Sequence, residues 1–250
     1  MKKLLYPVMR LSARKKAYHA WPLIFFLIFY LIYFHIIEAI PRSYYLAVIL
    51  PIDREIPFVE VFVIPYLSWF VFVAWGIVTC YLVDLDTYDA LSNTLMLGMA
   101  TFLFISTFLP NRQPLRMIEM PRDNVFTRLI AGLWMVDTPT DVWPSIHVFN
   151  TAAVMMAMLK SGYPGFRKTL FRVLLIIWSV LIILSTMLIK QHSVFDVLTA
   201  LVLIAVCYIR IYREKAIFRF RKWDRLALRL EAEAMQAEAE RKKRKAEKRA

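Results

Sequence analysis

The sequence predicts an all-α membrane protein: six apolar helical spans forming one bundle, followed by a basic amphipathic C-terminal helix. Three observations predict it. Of the 250 residues, 60% are hydrophobic, and the mean hydropathy is +0.53, too apolar for a soluble domain of this size. Apolar runs recur at close to 20 residues, about the length that crosses a bilayer as a helix. Basic residues crowd the two ends of the chain and give a formal net charge of +13. That distribution points to membrane-surface attraction and orientation rather than to nucleic-acid binding.

The first basic cluster holds Lys2, Lys3, Arg10, Arg14, Lys15 and Lys16. Residues 21–40 form the first span, too long for a signal-peptide core and followed by no small-residue cleavage site. Residues 41–58 form a loop with a short apolar patch suited to lie along the interface. The second span covers 59–83, an acidic turn 84–89, and the third span 91–109. Residues 110–143 make the longest connection, with Arg112, Arg116, Arg122 and Arg128 and a short surface helix over 129–136. A short fourth span follows over 146–159, then a turn with Gly162, Pro164 and Gly165.

The apolar run from Thr169 to Tyr212 is too long for one crossing, and the polar cluster Lys190-Gln191-His192-Ser193 breaks it. It divides into a fifth span, 169–189, and a sixth, 194–212. Residues 1–212 are therefore the membrane domain. Residues 213–250 form a cytoplasmic tail that is basic and amphipathic to about residue 230, with Phe218, Phe220 and Trp223 as interfacial anchors, and solvated beyond. The tail is expected to bind anionic membrane lipids. Six spans put both termini on one side. The bias of Lys and Arg makes that side cytoplasmic in the cell membrane. Cys80 and Cys207 lie inside apolar runs and read as buried small hydrophobes, not as a disulfide or metal framework.

Three distant segments then meet at the extracytoplasmic rim. They carry Arg112 and Arg116; Pro144-Ser145-Ile146-His147; and Ser185, Lys190, His192 and Asp196. Two histidines, cations and hydroxyls are the parts for phosphoryl transfer through a phosphohistidine. A neutral imidazole attacks phosphorus, and a carboxylate four residues on holds its tautomer. A second histidine protonates the departing alkoxide. Taken singly, each element has a plainer explanation. Ser193 and Asp196 fit a capping box, Ser145 an ordinary helix start, and Trp134 and Trp143 an interfacial belt. His19 and His35 have no evident partner in the sequence.

Pro144-Ser145-Ile146-His147 resembles the P-S-G-H motif of the type-2 phosphatidic-acid phosphatase (lipid phosphate phosphatase) superfamily. Ser185-x6-His192-x3-Asp196 is similar to its S-R-x5-H-x3-D motif. The resemblance spans residues 110–196. It implies His192 as nucleophile, Asp196 as its orienting partner and His147 as general acid. It also implies Ser145 as a phosphate contact, a lipid phosphate as substrate, and no metal or other cofactor. Thr186 stands where the motif has Arg, so Lys190 is expected to supply that charge. Leu109 and Met117 stand where the first motif has Lys and Pro, leaving Arg116, with Arg112 beside it, as its cation. Ser185 completes the expected phosphate site. Ile146 in place of the motif Gly also resembles the branch containing inositol and sphingolipid phosphotransferases. The expectation is a lipid phosphatase. Transfer to an alcohol acceptor, and a non-enzymatic lipid-binding or transport protein on the same scaffold, are the alternatives.

Overall fold

The computed structural model describes residues 13–214. The expected basic tail beyond residue 214 lies outside them, as do Lys2, Lys3 and Arg10 of the N-terminal cluster. The chain is built from helices α1 (Ala13–Ala39), α2 (Ile52–Glu55), α3 (Val63–Val83), α4 (Leu85–Phe108), α5 (Val125–Val136), α6 (Ile146–Lys160), α7 (Thr169–Leu188) and α8 (Val194–Cys207). α8 continues into a π-helical turn, Tyr208–Arg213. Leu46–Ala47 (β1) and Asn111–Arg112 (β2) form a two-residue parallel pair.

Five helical segments are long and apolar enough to cross a membrane: Tyr18–Ala39, Glu60–Val83, Leu85–Phe108, Thr169–Leu188 and Val194–Arg213. α6, expected as the fourth span, has 15 residues and falls short of that length. It rises only about 22 Å. It is nevertheless the hub. Ten of its residues are buried, and it packs on α3, α4, α7 and α8. Close approach is made possible by glycine: a Cβ at Gly98 of α4 would collide with the ring of Phe149, and one at Gly76 of α3 with Val154. Small residues at such crossings let helices pack without help from water exclusion. α1 packs chiefly on α4, through Tyr30, Ile37, Met99, Phe102 and Leu103.

The acidic segment expected as a turn over 84–89 is the start of α4 instead. Asp84 is its N-cap, accepting the Thr87 amide at 3.1 Å. Asp86 sits in the first turn, where a carboxylate complements the helix dipole. The third helix therefore begins six residues earlier than its apolar run. The surface helix of the long connection begins at Val125, behind the capping box of Asn124 and Thr127. Ser193 and Asp196 form the expected capping box of α8, and Cys80 and Cys207 are buried free thiols.

Successive long helices alternate between the two ends of the bundle. One end gathers the starts of α1 and α4 with the end of α6: His19 meets Asp89, and Ser161 donates to Asp84. The other end gathers the starts of α6 and α8 with the end of α7, roofed by the 110–144 connection. Two buried amides fasten that roof. Asn111 Oδ1 accepts the backbone amides of Val142 and Trp143, each at 2.9 Å. Gln113 Nε2 donates to the Lys190 carbonyl at 2.9 Å.

Candidate active site

α7 ends in a way that aims the next four residues inward. Lys190 adopts a left-handed conformation, φ 59°. Beyond it the amides of Gln191 and His192 both donate to the Thr186 carbonyl at 2.9 Å. This closure satisfies the last carbonyls of α7 as a left-handed C-cap does. Asp53, itself buried, accepts the Val194 amide at 2.7 Å and so holds the start of α8. The Ser145 amide reaches the Asp196 carbonyl at 3.4 Å, which sets the start of α6 directly against α8. His147, in the first turn of α6, is thereby brought to His192.

The three residues of the histidine pair and its carboxylate converge. His192 Nδ1 lies 3.3 Å from Asp196 Oδ2. His192 Nε2 lies 3.4 Å from His147 Nδ1, with ring centroids 5.6 Å apart. Asp196 Oδ2 also accepts the Ser193 amide at 3.0 Å, so one oxygen serves both the helix cap and the imidazole. The expected cap and the expected catalytic partner coexist in one carboxylate. His147 is nested among aromatic rings: its centroid is 4.2 Å from that of Trp69 and 4.6 Å from that of Tyr66. Its Nε2 is buried with no partner.

Arg116 comes to the same place through the connection. Its guanidinium donates to the carbonyls of Trp134 (3.1 Å) and Asp137 (2.5 Å) and to Gln191 Oε1 (2.7 Å). It also stacks over the Trp134 ring. Its Nε is buried and unpartnered, an unused donor on a cation held by three other hydrogen bonds. Burial lowers the Arg116 pKa somewhat, while the Asp137 carboxylate and Tyr66 pull it back up. Gln191 extends the network, donating to Asp137 Oδ2 at 2.7 Å, and Tyr66 donates to the same oxygen at 2.8 Å.

These groups line a cavity of about 430 Å³. Its lining is mixed: polar groups include His147, His192, Arg116, Gln191, Asp137 and Asp141, and apolar ones include Leu31 and Phe34 of α1, Trp69 and Phe70 of α3, and Phe102 of α4. Leu31, Phe70 and Val136 at its margin are strongly exposed.

The other expected phosphate contacts are not brought to the cavity wall. Ser145 is fully buried, and its hydroxyl caps α6 by accepting the Val148 amide at 3.3 Å. Ser185 donates back to the Ile182 carbonyl within α7. Arg112 lies in β2 and is exposed. Lys190 points away, into the outer loop: Nζ donates to the carbonyls of Asp53 (2.9 Å) and Ile56 (2.5 Å). Burial there lowers its pKa, and Asp53 opposes the shift. Arg122 and Arg128 pair with Glu60 and Asp123.

Several residues of the site escape sequence reasoning. Gln191 was visible as a polar break, but nothing marked it as the partner of Arg116. Tyr66 and Trp69 stand three residues apart, a same-face helical spacing, inside a run that reads as ordinary lipid-facing helix. Asp137 and Asp141 bound the Asp-Thr-Pro-Thr-Asp run of the long connection, where no motif marks them. No family model, curated protein or solved structure matches the chain.

Proposed function

We propose that this protein is a lipid phosphatase of the membrane, working through a phosphohistidine on His192, as the resemblance to the type-2 phosphatidic-acid phosphatase superfamily implies. The observation that carries the reading is the contact of His192 with His147 at 3.4 Å, backed by Asp196, on the wall of a cavity lined by both polar and apolar side chains. A His–carboxylate pair at the start of a membrane helix is expensive unless used. A second imidazole from a segment 45 residues away in sequence has no structural need to meet it there.

In the proposed reaction, His192 Nε2 forms a bond to phosphorus as the lipid P–O bond breaks. His147 in its protonated form gives a proton to the leaving alkoxide. Water then loses a proton to His147 and attacks phosphorus, and the N–P bond breaks. Asp196 holds the His192 tautomer and stabilises the charge it acquires. Arg116, through its free Nε–H, takes a phosphate oxygen. The nitrogens are at hydrogen-bond distance, so the phosphate comes from the cavity side and parts the two rings. The apolar wall between α1 and α3 suits the lipid tail, with the headgroup at the rim.

In this reading α6 is the fourth of six crossings, shortened because it is wrapped by its neighbours rather than by lipid. Both termini face the cytoplasm, and the site faces outward. The test is phosphate release by detergent-purified protein from phosphatidic acid, phosphatidylglycerol phosphate and polyprenyl diphosphate, with and without chelator. Release that persists in chelator and vanishes in His192→Ala is expected. Equal rates for wild type and His192→Ala would end the proposal.

A further inference from the structure

Asp141 is a buried carboxylate that the Asn111 amide and Arg42 stabilise but only half satisfy. It is 5% exposed, lines the cavity that holds the histidine pair, and its Oδ1 has no partner. The chain goes to some length to hold it there. Its backbone is left-handed, φ 50°, a conformation Asp tolerates better than most residues but still uncommon. Its amide is tied to the Asn111 carbonyl at 2.6 Å, and the next two amides are gripped by Asn111 Oδ1. An unsatisfied buried carboxylate oxygen destabilises a fold, so a neutral side chain would serve the loop better.

The neighbours on the same wall are hydroxyls. Thr138 and Thr140 lie 2.9 Å from each other, and Thr138 donates to Glu38 at 2.8 Å. The free donor of Arg116 fits a phosphate oxygen. The free acceptor of Asp141 repels one and fits a hydrogen-bond donor instead. The cavity therefore matches a ligand that carries both.

We infer that Asp141 binds a hydroxyl group of a polyol placed beside the phosphate, so that the site selects a polyol phosphate over a plain alkyl phosphate. This rests on the phosphate reading of the site. The polyol is either the headgroup of the lipid phosphate or a separate alcohol that accepts phosphorus from His192. In both, Asp141 acts as a specificity residue through a hydrogen bond from the hydroxyl to Oδ1.

The test measures binding of glycerol 3-phosphate and propyl phosphate, which share chain length and charge, to the purified full chain and to Asp141→Asn. Wild type is expected to bind glycerol 3-phosphate about tenfold more tightly, and the ratio to fall to about one in the variant. Titrating free glycerol together with propyl phosphate separates the two sources. Mutual strengthening of binding in wild type, lost in Asp141→Asn, supports an independent acceptor alcohol, and its absence alongside the tenfold ratio supports the headgroup. If wild type binds both phosphates equally and glycerol has no effect, the role of Asp141 is overturned while phosphate binding stands, a result that needs no variant to fold. If neither phosphate binds, both readings fall.

Discussion

Among the described residues, two histidines contact a carboxylate, at opposite ends of the bundle. His19 Nδ1 meets Asp89 Oδ1 at 2.7 Å and ties α1 to α4. His192 Nδ1 meets Asp196 Oδ2 at a looser 3.3 Å, because that oxygen also caps α8. The first pair is short and lies beside a satisfied cluster in which Asp84 takes Ser161 and Thr87. The second has another imidazole on its far nitrogen and lies among unpartnered buried atoms: Arg116 Nε, His147 Nε2, Asp141 Oδ1 and Asp196 Oδ1. A histidine–carboxylate contact is thus not itself a sign of chemistry. The sign is a pair whose surroundings are left incomplete around a cavity, since native structures rarely leave buried polar groups unmet.

The comparison is broken most severely at the histidines. His192→Ala is expected to lower phosphate release by about 10⁴-fold or more, whereas His19→Ala keeps release within about twofold and loses about 1–2 kcal/mol of stability with the interhelix tie. Thermal melts and steady-state rates on both variants decide it, and equal rate losses would erase the distinction. Asp196→Asn is next, with release down by about 10²-fold, accompanied by a lower melting temperature because the same oxygen caps α8.

A smaller effect separates Arg116 from the buried Lys190. Arg116→Lys is expected to raise KM about tenfold, because the three donors of an ammonium cannot hold two carbonyls and Gln191 Oε1 and still offer a fourth to phosphate. Lys190→Ala is expected to change KM by less than about threefold and to lower the melting temperature, since the ammonium braces the outer loop. A large KM effect from Lys190 alone would mean that the loop rearranges to deliver it to the cavity.

The smallest effect concerns pH. Burial pushes the Asp141 carboxyl up to about 6, the Asn111 amide and Arg42 oppose this, and Glu38 adds to it. A carboxyl raised on folding keeps its proton in the native state while the unfolded chain releases it. This group's contribution to stability therefore falls as pH rises from about 4 to about 6. Asp141→Asn removes that loss. The melting temperature of the variant relative to wild type is expected to climb across that window and to level off above it. A difference that does not vary with pH would contradict a carboxyl perturbed by burial.

The long helices were legible because each needs an apolar run of bilayer length, a property of neighbouring residues. The start of α4 was misjudged because Asp84, Asp86 and Asp89 look like a turn by polarity, while a helix N-terminus welcomes the same carboxylates. His147, His192 and Asp196 could be picked out by spacing within short motifs. Lys190 was assigned to the phosphate by proximity in sequence. The left-handed residue at that position turns its side chain outward instead, and a side chain's direction after a C-cap is not written in the local pattern.

The amino-acid order by itself determined the helices, the breaks between them, and the capping box in which Asp196 sits. These depend on hydropathy and hydrogen bonding over a few consecutive residues. Folding in three dimensions decided which cation faces the histidines, which carboxylates share their cavity, and that α6, with only 15 residues, lies at the centre. Those outcomes depend on the packing of glycines Gly76 and Gly98 against α6 and on buried amides joining segments far apart in the chain. No stretch of residues carries that information alone.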